Sequence, residues 1–135
     1  MAKVDIWLGF AHMRLSLEVS DEGEIDRNAI RAFTEGQCHA LALAVHELTR
    51  WPVMGILDSD RDKDSPSHCV MLRPDGELLD INGPNAYERW HERHGRYGIR
   101  FISPKKLPEL KHYMEPNVAA ARPFAKTLVA KYGKY

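Results

Sequence analysis

The chain has 135 residues, 44% of them hydrophobic, with Lys plus Arg and Asp plus Glu balanced at 19 each. That length and apolar content suit one domain over residues 1–135 with a single core, and zero net charge excludes the broad basic field that draws a protein to nucleic acid or anionic lipid. No apolar run approaches a membrane span, Asp5 interrupts the N-terminal apolar stretch, and two cysteines are too few for a disulfide framework. A cytoplasmic protein with free thiols is therefore expected, with a single Cys38–Cys69 bridge left open by the sequence.

Residues 4–11 fit helix and strand equally, whereas Arg14-Leu15-Ser16-Leu17-Glu18-Val19 alternates polar and apolar as a half-buried strand does. Asp21-Glu22-Gly23-Glu24 reads as a polar turn. Asp26 then caps a short helix with Ile25, Ala29, Ile30 and Phe33 on one side, ending at Gly36. The run from Gly36 to Arg50 is a second helix, rich in Ala and Leu, uninterrupted by Gly or Pro, and stopped by Trp51-Pro52 because a residue before proline disfavours helical angles. Its middle, Ala40 to Val45, is apolar all round, which predicts burial on most sides.

Val53 to Leu57 has strand length and leads into the acidic loop Asp58 to Pro66. Its alternating aspartates suggest calcium, but an EF-hand loop needs glycine at its sixth position and glutamate at its twelfth, where this chain has Lys63 and Cys69. A hairpin follows. Ser67 to Arg73 and Glu77 to Asn82 are strand-like and are joined by Pro74-Asp75-Gly76, in which proline presets φ and glycine is free to take a positive one. A three-residue loop sets Arg73 opposite Glu77, Val70 opposite Asp80 and His68 opposite Asn82. His68, Asp80 and Asn82 then project from one face, and Cys69, Met71, Leu79 and Ile81 from the other. Beyond Gly83-Pro84-Asn85 the pattern predicts a polar helix over 86–94, a strand at Ile99 to Ile102, a short helix from Lys106 to Met114, and a packing helix from Asn117 to Tyr132 with a kink expected at Pro123. From Lys105 onward there are seven basic residues against Glu109 and Glu115, a pattern that reads first as a solvated helix face and second as a surface for an acidic protein partner.

The chemistry-bearing residue is Cys38. A thiol in the first turn of a helix sits near free backbone N–H groups and the positive end of the helix dipole, both of which favour thiolate. A nucleophilic cysteine also needs a base and a third group that orients the base. Cys38, His68 and Asp80 supply these in order, on a buried helix start, a strand and its partner strand. Over Phe33 to Asn82 this order resembles the papain-like superfamily of cysteine hydrolases and transferases, which includes transglutaminase-like enzymes, arylamine acetyltransferases and cell-wall amidases. Gln37 to Trp51 and Leu79-Asp80-Ile81 also resemble small bacterial and phage-borne proteins that carry no assigned activity.

The superfamily resemblance implies an α+β fold with a papain-like core, in which the cysteine-bearing helix packs on a small antiparallel sheet of about four strands and an extra helix follows at the C-terminus. It implies Cys38 as nucleophile, His68 as general base and Asp80 as orienting group, with Asn82 as second choice. The Cys38 N–H and the Gln37 side chain would form the oxyanion pocket, although papain carries its glutamine several residues ahead of the cysteine. The substrate would be a protein, peptide or other amide, with no cofactor and no metal. Cys38-His39 with His68-Cys69 forms a zinc set on paper, but Cys69 and His68 lie on opposite strand faces and helix neighbours diverge by about 100°. The rival expectation is a binding or inhibitor protein of phage or plasmid type on the same scaffold.

Overall fold

The computed structural model describes residues 1–8, 11–57, 66–94, 98–109 and 114–133. The acidic loop weighed for calcium falls, apart from Pro66, outside the described residues. The chain opens as a ribbon: β1 (Ala2–Leu8) pairs antiparallel with β2 (Met13–Val19), from Ala2 opposite Val19 to Leu8 opposite Met13. Residues 4–8 of the ambiguous N-terminal stretch are thus strand, and Val4, Ile6, Leu17 and Val19 form the buried face of the ribbon. Pairing with β2 decides what an isolated apolar run leaves undecided.

Helix α1 (Arg27–Glu35) is capped by the Asp26 carboxylate, which accepts the Ala29 N–H at 2.9 Å, and it buries Ala29, Ala32 and Phe33. Only Gly36 and Gln37 separate it from α2 (Cys38–Thr49). A Cβ at Gly36 would come within 2.8 Å of the Ile6 side chain, so the passage is held tightly against β1. Helix α2 ends at Arg50, which takes a left-handed φ of 63° before Trp51-Pro52.

Four strands then form an antiparallel sheet in the order β5-β4-β3-β6: β3 (Val53–Ile56), β4 (His68–Leu72), β5 (Leu78–Leu79) and β6 (Ile99–Ile102). Met71 pairs with Leu79 and Leu72 with Leu78, the register set by the Pro74-Asp75-Gly76 turn. Alternation along the strands sorts the core into two sides. Val53, Cys69, Met71, Leu79, Ile81 and Ile102 join the cluster containing Cys38, Leu41 and Val45 of α2. Met54, Ile56, Val70 and Leu78 pack with Ala86, Tyr87 and Trp90 of α3 (Ala86–His94). The sheet is therefore sandwiched between α2 and α3.

The stretch from Pro104 to Glu109 is a 3-10 helix with Pro108 inside it, starting two residues before the short helix expected from Lys106, and residues 110–113 of that expected helix lie outside the described residues. Helix α4 (Val118–Tyr132) runs continuously through Pro123 and packs on α2, with Phe124 tilted against Phe33 at a centroid distance of 5.2 Å. Gly23 fits beneath α4 with a φ of +79°, and a Cβ there would lie 2.3 Å from the Pro123 carbonyl oxygen. The architecture is α+β with two small antiparallel sheets, and none of the described helices is long and apolar enough to cross a membrane.

Candidate active site

Strand β5 stops after two residues because its continuation bends back on itself. The Asp80 carboxylate accepts the Asn82 N–H at 2.8 Å, Asp80 and Gly83 exchange backbone hydrogen bonds at 3.2 and 2.9 Å, and Gly83 takes a φ of +99°. An aspartate bonded to its own backbone two residues on, followed by a glycine with positive φ, is a turn-forming combination. Asn82 is consequently exposed in the turn and does not face His68 across a ladder. The strand pairing expected through Asn82, and with it that residue's place as second orienting group, is corrected by this bend. Its contribution to the site is its backbone N–H.

The early end of β5 leaves a gap at the edge of β4. Odd-numbered residues of β4 and its extension bond toward β5, as the Arg73 N–H does to the Glu77 carbonyl at 2.9 Å. Two residues apart in a strand, successive N–H groups point the same way. The Cys69 N–H, facing that edge past the end of β5, donates instead to Cys38 Sγ at 3.4 Å. The first residue of α2 thus fills with its sulfur a ladder position that a strand carbonyl would have taken.

His68 stands on the α3 face of the same strand. Its Nε2 donates to Asp80 Oδ2 at 3.0 Å, and its ring stacks on Trp90 at 4.7 Å with 8° between planes. The Nδ1 atom makes no hydrogen bond of regular geometry among the described residues. Cys38 acts on the same imidazole through hydrogen bonding and charge, and its sulfur accepts the N–H of the next residue in the strand, Cys69. All three side chains are buried: Cys38 is 2% exposed, His68 0% and Asp80 6%.

Their protonation follows from this geometry. Hydrogen bonding by Cys69 is the main influence holding the Cys38 thiol well below its ordinary range; burial opposes it, while His39 and His68 reinforce it. Burial by itself would push His68 down, yet its bonds to Asp80 and Cys38 and the charges of both hold it up to about 9. Asp80, pushed upward by burial, is lowered on balance by His68, Arg89 and the Asn82 N–H. The favoured state is a thiolate beside an imidazolium, backed by a carboxylate.

This sharing of one proton has a consequence for stability. His68 is raised above its unfolded value, so its contribution is complete below about pH 6.5 and is lost as the pH climbs through about 9. Cys38 is lowered, so its contribution is complete above about pH 8.5 and is lost as the pH falls toward its depressed folded value. Between about pH 6.5 and 8.5 both states of the pair hold one proton and the two slopes cancel. The difference in urea-unfolding free energy between the wild type and the Cys38→Ala, His68→Ala double variant is expected to be level across that window and to shrink on both sides of it.

Gln37 has a different task from the one expected. Buried to 2% exposure, it donates from Nε2 to the Asp5 carbonyl at 3.0 Å and the Glu115 carbonyl at 3.3 Å, and its Oε1 accepts the Asn117 N–H at 3.0 Å. Both amide hydrogens are engaged, which leaves none for an oxyanion. His39 likewise donates to the Met114 carbonyl at 2.6 Å, away from a zinc set. Of the expected oxyanion donors the Cys38 N–H remains, at a helix start where the first N–H groups have no intrahelical acceptor.

Two neighbours of the site were not foreseen from sequence. Arg89 Nη2 contacts Asp80 Oδ1 at 2.6 Å and the Gly83 carbonyl at 2.8 Å, and its Nη1 donates to the Pro84 carbonyl. Trp90, adjacent on α3, covers the His68 ring. Tyr87 and Trp90 are three residues apart and so share a side of α3, but that spacing does not tie the side to the histidine. No family model, no curated protein and no solved structure matches this chain.

Proposed function

We propose that this chain is a cysteine-dependent acyl hydrolase or transferase, acting on an amide or ester carbonyl in a protein, peptide or related substrate. The observation that carries the reading is one imidazole joined through Nε2 to a buried carboxylate and in contact with a sulfur that also accepts a backbone N–H. The papain-like resemblance supplies the roles, with Cys38 as nucleophile, His68 as base and acid, and Asp80 as orienting group.

In this mechanism the Cys38 thiolate attacks the carbonyl carbon, and the developing oxyanion is stabilised by the Cys38 N–H and the positive end of α2. His68 passes its proton to the leaving amine or alkoxide as the carbon–heteroatom bond breaks, leaving a thioester on Cys38. Water or an amine then attacks the thioester, gives its proton to His68 and restores the thiolate. Asp80 holds Nε2 throughout, directing Nδ1 toward the sulfur. Burial of both reacting groups means that a substrate reaches them only when a covering segment shifts.

A second reading, a non-catalytic binding protein, is favoured by the same burial and by the exposed Lys126 and Lys131 on α4, which suit an acidic protein partner. The two part on covalent chemistry. With p-nitrophenyl acetate, the acyl-transfer reading expects a burst of p-nitrophenolate near one equivalent and an acetyl group mapped to Cys38, both lost in Cys38→Ser. Acetylation confined to surface lysines, with Cys38 unmodified, would remove the enzyme reading in favour of the binding one.

A further inference from the structure

We infer that Arg89 is the positioning residue of the His68–Asp80 pair: its guanidinium fixes the orientation and charge of Asp80 so that a single carboxylate oxygen faces the imidazole. The inference rests on the acyl-transfer reading for its functional meaning, but its physical content stands on Asp80 itself.

The buried Asp80 carboxylate has two oxygens with different partners. Oδ2 is committed to His68 Nε2. Oδ1 would be free to exchange with it by rotation of the side chain, unless something distinguishes the two. The Asn82 N–H and Arg89 Nη2 both bind Oδ1, at 2.8 and 2.6 Å. The same guanidinium binds the carbonyls of Gly83 and Pro84, the residues that close the bend ending β5. One planar cation therefore ties the carboxylate to the turn that presents it, a geometry that the fork of arginine provides and the point charge of lysine does not. Arg89 touches neither the sulfur nor the imidazole in any described contact, so its influence passes through Asp80.

Charge points the same way. Among the described residues, His68 from β4 and Arg89 from α3 are the ionisable side chains acting on Asp80, alongside the Asn82 N–H of its own turn. A carboxylate this buried would otherwise be driven toward its neutral form, in which it no longer supports an imidazolium. The adjacent Trp90 stacks on His68, so consecutive residues of α3 hold the two members of the pair, Arg89 the acid and Trp90 the base.

The test combines the carboxyl titration of Asp80, followed by carbon-13 NMR, with a double-mutant cycle on the iodoacetamide alkylation of Cys38 at pH 5.5. Arg89→Gln is expected to raise the Asp80 midpoint by about one pH unit or more, with Arg89→Lys restoring much of that shift because it keeps the charge. Alkylation is expected to slow roughly threefold to tenfold in Arg89→Gln, and to show no further loss when the same change is made in Asp80→Asn. A purely structural arginine would lower stability while leaving the Asp80 midpoint in place and slowing alkylation equally in both backgrounds; either result overturns the inference. If wild-type Cys38 proves unreactive, the acyl-transfer reading falls on its own, and the Asp80 titration still decides what Arg89 does.

Discussion

Replacing His68 by alanine is expected to slow the alkylation of Cys38 by iodoacetamide roughly tenfold to a hundredfold at pH 6. In the wild type the sulfur is held as thiolate by hydrogen bonding from Cys69, with His39 and His68 contributing against an unfavourable burial. Without the imidazole the desolvation of a sulfur only 2% exposed is opposed by fewer groups, and the thiol moves back toward its usual range or above it. At an ordinary value near 8.5, only about 0.3% of the sulfur is thiolate at pH 6. Part of that loss is offset because a more basic thiolate is the better nucleophile, which is why the expected effect is smaller than the change in ionised fraction. Comparing the variant with the wild type at pH 9 provides the control. There the two rates are expected to converge, because a thiol in the ordinary range is mostly ionised at that pH.

Substituting Gln37 by alanine is expected to destabilise the protein by about 3 kcal/mol and to lower its midpoint of thermal unfolding by about 10 °C, without changing the pH dependence of Cys38 alkylation in the folded protein. The side chain joins three distant stretches of backbone, at Asp5 in β1, at Glu115 and at Asn117 ahead of α4. Its removal leaves two carbonyls and an N–H without those partners in a region that water enters poorly, and orphaned polar groups cost more than a typical hydrogen bond contributes. Leucine would fill the volume and still leave the groups unsatisfied. Circular dichroism melting measures the loss. Had Gln37 served an oxyanion instead, the same variant would melt almost normally and lose the acetyl burst.

These two residues mark what the sequence made legible and what it did not. The helix-start cysteine could be found because Ala, Leu and the Trp51-Pro52 stop define α2 from local preferences alone. The β4–β5 register could be found because a three-residue turn allows one pairing, and Met71 opposite Leu79 follows from it. Where β5 ends could not. Leu79 to Asn82 keeps an alternating pattern through the bend, and the Asp80 and Gly83 interactions that end the strand override that pattern.

Long-range partners were similarly hidden. Gln37 reaches residues 32 and 78 positions away, and nothing in the order of residues ties an amide to those carbonyls. Arg89 belongs to a polar helix whose charges read as a solvated face until the turn at Gly83 brings one of them onto Asp80. The N-terminal strand needed β2 beside it before its alternation meant anything. Local chemistry was therefore readable, whereas side chains recruited across the fold were not.

The central claim is that Cys38 and His68 share one proton, held on the imidazole, and the pH profile of Cys38 alkylation in the intact wild-type protein tests it most directly. Because limited access lowers the rate equally at every pH, the shape of the profile reports ionisation alone. A rate nearly level from pH 9 down to pH 6, falling only at more acidic values, is the predicted result. A rate that drops about tenfold with each pH unit below about 8.5 would mean an ordinary buried thiol and would contradict the account.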